Sequence, residues 1–405
     1  MKSNVIVSGF SRSHLINTAR LLNEKNELLC LFSPFFPKRT FFDRFLIKRL
    51  REKVSQRRSL YRDIPIKTSF LPEILKELSN SARKAKLYKL ADMLEVTSFV
   101  AFSMNCNRAL KGFEMSHSIN LIVRAGFGSC IERELDFVDA SYVHPSCVES
   151  LLSGEKMRLS TGKKLSGIDR LIVEDCSRAK KIIANSTLVK ESFVLAGFDE
   201  KKIEVLYLPP THLFAIEGLN FIYTEKQIPK LIFVGNIQIR KGIAILFDIV
   251  EKFIGLGLQF ELWLIGEWAS DAEFYKQTLL ETQNVKWFGW QSDEKLIEIL
   301  KDGTLMVFPT LVEGGARVVT EAMALGLPVV TTENAGSPIV DRMDGIICKP
   351  NSEDFNQKIL SLLANVELRK KISVNSRIRV RKEFSNEKYI STILDFIDLR
   401  YRGNL

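Results

Sequence analysis

The 405-residue sequence lacks long hydrophobic runs, paired cysteines and the short motifs of metal sites. No stretch approaches the roughly 18 uncharged apolar residues of a membrane span, and no N-terminal signal is visible before the first apolar strand. The six cysteines include no C-x-x-C pair, which favours buried free thiols in a reducing cytosol over disulfides or a zinc site. No Asp-x-Asp metal motif is present. We therefore expect a cytoplasmic protein that needs no metal and no cofactor.

Apolar runs alternate with helical patterns in both halves of the chain, which predicts parallel sheets with helices on both faces. In the first half we predict strands at 5–8, 28–32, 119–123, 137–143, 181–184 and 203–208, with helices throughout 71–111. In the second half we predict strands at 231–234, 261–265, 285–288, 305–308, 328–331 and 345–348. The length suits two domains of about 200 residues. The predicted fold class is α/β, with doubly wound Rossmann-like domains at 1–212 and 229–385, a linker at 213–228, and a ligand cleft between them.

Positive charge is concentrated in one segment. Residues 38–62 contain ten lysines and arginines but two acidic residues, which accounts for most of the net charge of +10. Phe42, Phe45, Leu46, Leu50 and Val54 recur there at helical spacing. One interpretation is a helix lying on an anionic membrane surface; the other is a core-packed helix with a basic solvated face. Nucleic acid is disfavoured because no helix-turn-helix, zinc or RNA-binding signature is present.

The most informative segment is 308–332, which reads as strand, loop, helix and strand. The loop Glu313-Gly314-Gly315 leads into a helix at about Ala316, and glycines there allow a phosphate to approach the unpaired N–H groups of the helix start. Glu321 follows eight residues after Glu313, about 12 Å away if both lay on a helix. One carboxylate could bind sugar hydroxyls and the other ribose hydroxyls. The alternative is an ordinary turn followed by a solvated Glu321.

These residues resemble the donor-site signature of retaining glycosyltransferases of family 4, which have the GT-B fold. The segment carries Glu-x7-Glu followed by Ala-Met-Ala-x-Gly-x-Pro-Val-Val. Further segments resemble the family in register between about residues 180 and 350: 183–186 with 203–205, 234–242, 264–266, 284–289 and 334–338. The resemblance implies that residues 386–405 pack back on the first domain.

The resemblance also implies roles for individual residues. Glu313 and Lys241 would be catalytic, with Lys241 meeting the donor diphosphate. The donor-binding residues would be Gly235, Asn236, Arg240, Gly266, Gly314, Gly315, Ala316, Arg317 and Glu321. The sequence departs from the family at Asn236, where the family has an arginine, and Arg240 beside Lys241 is the candidate replacement.

The first half should hold the acceptor. His144 ends a predicted strand at the cleft edge, and a neutral imidazole there could hydrogen-bond the donor sugar or the acceptor hydroxyl, so we include it among the catalytic candidates. The alternative is a structural histidine. The glycine turn at 124–129 is a candidate acceptor or phosphate contact. His14 and His117 carry less information.

The function implied is transfer of a sugar, with retention, from a nucleotide-sugar donor to a hydroxyl of a glycan or lipid-linked acceptor, in bacterial surface polysaccharide or glycolipid synthesis. If the basic segment binds lipid, the protein would be peripheral at the inner face of the plasma membrane. Two alternatives stay open: a sugar-nucleotide 2-epimerase of the same fold, and a non-catalytic protein that binds nucleotide sugar. A dehydrogenase is disfavoured because no G-x-G-x-x-G follows a strand with an acidic residue about 20 positions on.

Overall fold

Two parallel sheets, one in each half of the chain, organise the computed structural model. The structure describes residues 4–9, 14–34, 63–69, 71–113, 119–159, 165–211 and 224–401. The basic segment 38–62 therefore lies outside the described residues, as does most of the predicted linker 213–228. Within the described ranges, no helix combines the length and the apolar character that a bilayer crossing requires.

Within the described residues, the first sheet consists of β1 (Val5–Ser8), β2 (Leu28–Ser33), β3 (Ile66–Thr68), β4 (Asn120–Arg124), β5 (Leu135–Ala140), β6 (Ala179–Ala184) and β7 (Ile203–Val205). The strand order is β3-β2-β1-β4-β5-β6-β7, and each neighbouring pair is parallel. Its helices are α1 (Leu15–Glu24), α2 (Leu71–Lys84), α3 (Tyr88–Leu110), α4 (Val148–Leu152), α5 (Gly167–Arg178) and α6 (Thr187–Leu195). Buried apolar side chains cover both faces of this sheet.

The second sheet is built from β8 (Lys230–Val234), β9 (Glu261–Ile265), β10 (Val285–Gly289), β11 (Leu305–Phe308), β12 (Val329–Thr332) and β13 (Ile346–Cys348). These strands are also parallel, in the order β10-β9-β8-β11-β12-β13. Helices α7 (Ile243–Gly255), α8 (Glu273–Glu281), α9 (Asp293–Lys301), α10 (Arg317–Ala324), α11 (Ser352–Ala364) and α12 (Val366–Glu383) belong to this half. The strand order reverses at β8 and β11, and a doubly wound sheet binds ligands at such a point.

The last helix, α13 (Asn386–Tyr401), returns to the first half of the chain. Tyr389, Ile390, Ile393 and Ile397 are buried in the same apolar cluster as residues of β1 and α1. The Tyr389 hydroxyl also lies 2.9 Å from the Thr18 hydroxyl. The chain therefore crosses between the two halves twice, and α13 fixes the second domain to the first.

The predicted α/β architecture is confirmed, with corrections at three strands. The strand predicted at 203–208 ends at Val205. β3 was not predicted, because Ile66-Lys67-Thr68 is a short edge strand without an apolar run. The strand predicted at 137–143 is wrong at both ends, since β5 spans Leu135–Ala140. The chain leaves the sheet at Ser141, whose hydroxyl donates to Asp139 Oδ2 at 2.7 Å. The six cysteines are free thiols and five of them are buried, as predicted.

Candidate active site

The carboxyl ends of β8 and β9 meet at Gly235 and Gly266. Both residues have positive φ, 142° and 136°. A Cβ on Gly266 would lie 1.9 Å from the carbonyl oxygen of Gly235, so a side chain cannot be accommodated there. Trp287 contacts the same loop, because its indole N–H donates to the Gly266 carbonyl at 2.8 Å. These contacts place the loop after β8 at the edge of the cleft.

A carboxylate and two cations meet where the loops after β8 and β11 converge. Arg240 Nη1 donates to Glu313 Oε2 at 3.0 Å, and Lys241 Nζ donates to the same oxygen. The side chain of Lys241 is 13% exposed and that of Glu313 is 22% exposed. Residues 72 positions apart in sequence are thus brought together at the point where the strand order reverses. We call Arg240, Lys241 and Glu313 the cleft cluster.

Burial and charge act together on the cleft cluster. Burial alone would raise the pKa of the Glu313 carboxyl, but Lys241 and Arg240 outweigh burial and the pKa is lowered. Burial lowers the pKa of the Lys241 ammonium, and Glu313 opposes that shift only in part. Glu313 is therefore ionised at neutral pH and holds two cations in place. An anionic ligand that reached this point would compete with Glu313 for them.

Arg240, the candidate replacement for the family arginine, contacts the loop after β11. Asn236 is exposed, whereas Arg240 is held by two contacts to the loop after β11. Its guanidinium donates to the Val312 carbonyl at 2.7 Å, and its own carbonyl accepts the Leu311 N–H at 2.9 Å. The structure therefore brings Arg240, and not Asn236, together with Glu313.

The two glycines after Glu313 touch the first domain. A Cβ on Gly314 would lie 1.9 Å from the carbonyl oxygen of Ser141, just after β5. A Cβ on Gly315 would lie 3.1 Å from the carbonyl oxygen of Asn185, just after β6. Ser186 also donates its hydroxyl hydrogen to the Gly314 carbonyl. The loop with Glu313 is thus pressed against the strand ends of the first sheet, and the cleft is closed here.

The N–H group of Ala316 is already in use, because it donates to the Ala335 carbonyl at 3.0 Å. Helix α10 begins at Arg317, so its unpaired N–H groups start there. Arg317 is exposed, and its Nε lies 3.3 Å from Glu321 Oε1. A phosphate at this helix start would meet the N–H groups from Arg317 onward instead of that of Ala316.

Glu321 is buried, so the alternative of a solvated helix residue is wrong. It is 7% exposed. Burial raises its pKa to about 7, against the opposing charge of Arg317 and a hydrogen bond from the backbone of Thr211. A buried carboxyl with a strongly raised pKa is a common feature of binding sites.

Replacing Glu321 with glutamine should stabilise the protein at high pH. The folded-state pKa of about 7 lies above the ordinary 4.5, so the folded protein binds the extra proton and the free energy of unfolding falls as pH rises between these values. Glutamine has no charge to bury. We expect Glu321→Gln to raise the free energy of unfolding by about 3 kcal/mol at pH 8 and to change it little at pH 4. Urea denaturation at both pH values measures this.

The exposed Glu191 provides the control for that comparison. Glu191→Gln removes a carboxylate that the fold does not bury, so its stability should match that of the wild type at both pH values. Equal stability of Glu321→Gln and wild type at pH 8 would contradict the expected burial cost.

His144 lies outside the cleft cluster. Its strand was predicted to run to the cleft edge, but β5 ends four residues earlier, at Ala140. The imidazole packs edge-on against Phe193, with ring centroids 5.1 Å apart, and its Nδ1 accepts the Ser146 N–H at 3.3 Å. Burial lowers its pKa, which keeps the ring neutral. These contacts support the structural alternative for His144.

Of the two histidines among the described residues, His14 lies at the cleft. Its Nε2 lies 2.9 Å from Asp139 Oδ1 at the end of β5, and the ring lines a small pocket together with Arg317 and Tyr389. Burial would raise the pKa of Asp139, but His14 and Ser141 outweigh it and the pKa is lowered. Local sequence does not indicate this pair, because 125 residues separate its members.

The glycine turn at 124–129 is held by a buried aspartate. Asp175 Oδ2 accepts the N–H groups of Gly126 and Gly128 at 2.8 Å and 2.7 Å. Burial raises the pKa of Asp175 to about 7 although both N–H groups oppose that shift. The N–H groups expected to contact a ligand are therefore occupied within the protein, and the turn supports the sheet end instead.

Comparison with known proteins finds a matching family, related sequences and similar folds. Residues 221–379 match the family model for glycosyl transferases group 1. An uncharacterized glycosyltransferase of Methanocaldococcus jannaschii is 26% identical over 64% of this chain and 74% of its own length. A capsular polysaccharide biosynthesis glycosyltransferase, CapM of Staphylococcus aureus, is 29% identical over 52% of this chain and 59% of its own. A structure of S. aureus TarM in a complex that contains UDP superposes with a TM-score of 0.66 at 15% identity, covering 98% and 100% of the two chains.

Two parallel α/β domains that meet at their strand ends form the GT-B fold. The second half of the chain, residues 221–379, carries the domain of glycosyl transferases group 1. Its matched region contains β8 to β13 and the complete cleft cluster.

Proposed function

We propose that this enzyme transfers a sugar from a nucleoside-diphosphate sugar to a hydroxyl of a glycan or lipid-linked acceptor, with retention of configuration. The observation that carries the proposal is the cleft cluster, which places two cations and a carboxylate at the strand-order reversal, against the first domain. Relatives named for capsule and lipopolysaccharide synthesis favour bacterial surface polysaccharide or glycolipid as the product. UDP is the first nucleotide to test, because it is bound in the TarM and HepE structures.

The cleft cluster supports a division of roles. Lys241 and Arg240 would leave Glu313 for the donor diphosphate, and Glu313 would then be able to accept hydrogen bonds from hydroxyls of the donor sugar. Glu321 would accept hydrogen bonds from the ribose hydroxyls, and the start of α10 would face a phosphate. Gly235 and Gly266 would let the nucleotide approach the backbone.

The proposed reaction proceeds on one face of the sugar. The bond between the anomeric carbon and the leaving phosphate oxygen breaks, and the acceptor oxygen bonds to the same carbon from the same side. The acceptor proton passes to the departing phosphate oxygen. Lys241 and Arg240 stabilise the negative charge that develops on the diphosphate. The closed contact of Gly314 with Ser141 would exclude water and so limit hydrolysis.

Thermal stability in the presence of nucleotides tests the donor site. A ligand that binds only the folded state raises the melting temperature. At a ligand concentration of 100 times the dissociation constant, the free energy of unfolding rises by about 2.7 kcal/mol. We expect a selective rise with one nucleoside diphosphate and its sugars, measured against a panel of bases. The rise should be smaller in Lys241→Ala, which keeps Arg240, and lost in Glu321→Ala. No rise with any nucleotide would contradict the proposed function and favour a degenerate donor site.

A further inference from the structure

A cavity of about 480 Å³ lies in the first domain, between the α2–α3 hairpin, α5 and the ends of β4 and β5. Tyr142 lines it and directly follows Ser141, whose carbonyl oxygen touches Gly314. The cavity therefore extends to the part of the first domain that contacts the Glu313-Gly314-Gly315 loop. Its volume lies within the range of small-molecule sites, which is roughly 300–1,000 Å³.

One wall of this cavity is apolar and aromatic. Phe99 of α3 stacks on Phe127 with ring centroids 4.2 Å apart, and Ile168 and Ile172 of α5 continue the wall. Stacked aromatic rings give a rigid, flat apolar surface. The C–H face of a pyranose ring matches such a surface, while its hydroxyls need polar partners at the edge.

Polar groups line the remaining sides, and carboxylates outnumber cations among them. The carboxylates belong to Glu73, Glu77, Glu95 and Asp169, whereas the cations are Lys76 and Arg124. Each cation already has a partner in the protein. Lys76 pairs with Glu95, and Arg124 donates to the Tyr142 hydroxyl while it stacks over the ring, 5.2 Å from the centroid.

We propose that this cavity binds the acceptor and that the accepting end of the acceptor is a saccharide without negative charge. The inference rests on the proposed transfer function and specifies its second substrate. A phosphate or a uronic acid would meet a surplus of carboxylates and two cations that are already paired, so it would lose its hydration without compensation. A neutral sugar can stack on the aromatic wall and donate its hydroxyls to the carboxylates.

The test is an acceptor panel assayed with the donor that the thermal measurements select. The panel contains octyl glycosides of glucose, galactose, mannose and N-acetylglucosamine, with octyl glucuronide and octyl glucoside 6-phosphate as the anionic members. We expect transfer to at least one neutral glycoside, and a ratio kcat/KM at least about tenfold lower for its anionic counterpart.

A charge reversal at the cavity shows whether its carboxylates cause the preference. Glu77 is exposed on α2, so Glu77→Lys should fold normally and should lower KM for the glucuronide by about tenfold. Glu191→Lys makes the same change of net charge on α6, outside the cavity, and should leave the preference unchanged. Donor binding should be the same in both variants and the wild type.

Several outcomes would overturn the inference. They are a wild-type preference for an anionic acceptor, an identical response of Glu77→Lys and Glu191→Lys, and binding of the donor without transfer to any neutral glycoside. Failure of the donor itself to bind is a different result, because it would refute the proposed function on which the inference rests.

Discussion

Replacing Lys241 with alanine should lower kcat for sugar transfer by about 10²- to 10³-fold, or about 3–4 kcal/mol of transition-state stabilisation. The reason is that Lys241 is buried beside Glu313 at the cleft, where its charge is little screened by water. Arg240 remains in this variant and should preserve part of the diphosphate binding. Steady-state kinetics with the selected donor, together with the melting temperature of the variant, measures the effect.

Lys230 provides a matched control for Lys241. It lies at the opposite end of β8 from the cleft and pairs with Asp302. Like Lys241, it is therefore a lysine with a carboxylate partner. Lys230→Ala should keep kcat within about twofold of the wild type, because Lys230 begins β8 whereas the cleft lies at the other end of that strand. A folded Lys241→Ala enzyme with the kcat of Lys230→Ala would refute the role of the cleft cluster.

Much of the fold is predictable because its strands are buried on both faces. β11 reads as a continuous apolar run and β12 begins with two valines, and all residues of both strands are buried. The end of β5 was misplaced for the same reason. Val143 continues the apolar run beyond Ala140 and is buried, but it lies outside the strand. An apolar run indicates that its side chains are buried. It does not show that they belong to a strand, because a side chain can also be buried outside a sheet.

The site was predictable where one short segment carries it. Glu313, its two glycines and Glu321 lie within a single loop and helix, so their spacing could be read directly. The burial of Glu321 could not be predicted in this way. It depends on contacts with residues distant in sequence, such as Thr211, whose backbone hydrogen-bonds to Glu321. The choice between His14 and His144 depends on a partner 125 residues away from His14. Contacts of that kind follow from the topology rather than from local sequence.

The closed contact at Gly314 leads to the second large effect. Replacing Gly314 with alanine should reduce transfer by at least about 10²-fold, because misplacing the reacting groups by about 1 Å has an effect of this size. The new Cβ would lie 1.9 Å from the Ser141 carbonyl oxygen, a separation that real atoms do not reach. Since Gly314 and Ser141 belong to different domains, the clash can be relieved if the domains move apart. Each domain should therefore keep its own fold.

Kinetics and small-angle X-ray scattering together separate domain opening from unfolding. We expect Gly314→Ala to have a larger radius of gyration than the wild type in the presence of donor, with a helical content that is unchanged by circular dichroism. Gly255→Ala is the control, because a Cβ at the end of α7 meets no atom within 4 Å. A Gly314→Ala enzyme with wild-type kcat would mean that the contact with Ser141 is not needed during the reaction. Loss of activity without a change in size would place the effect in the loop of Glu313 itself.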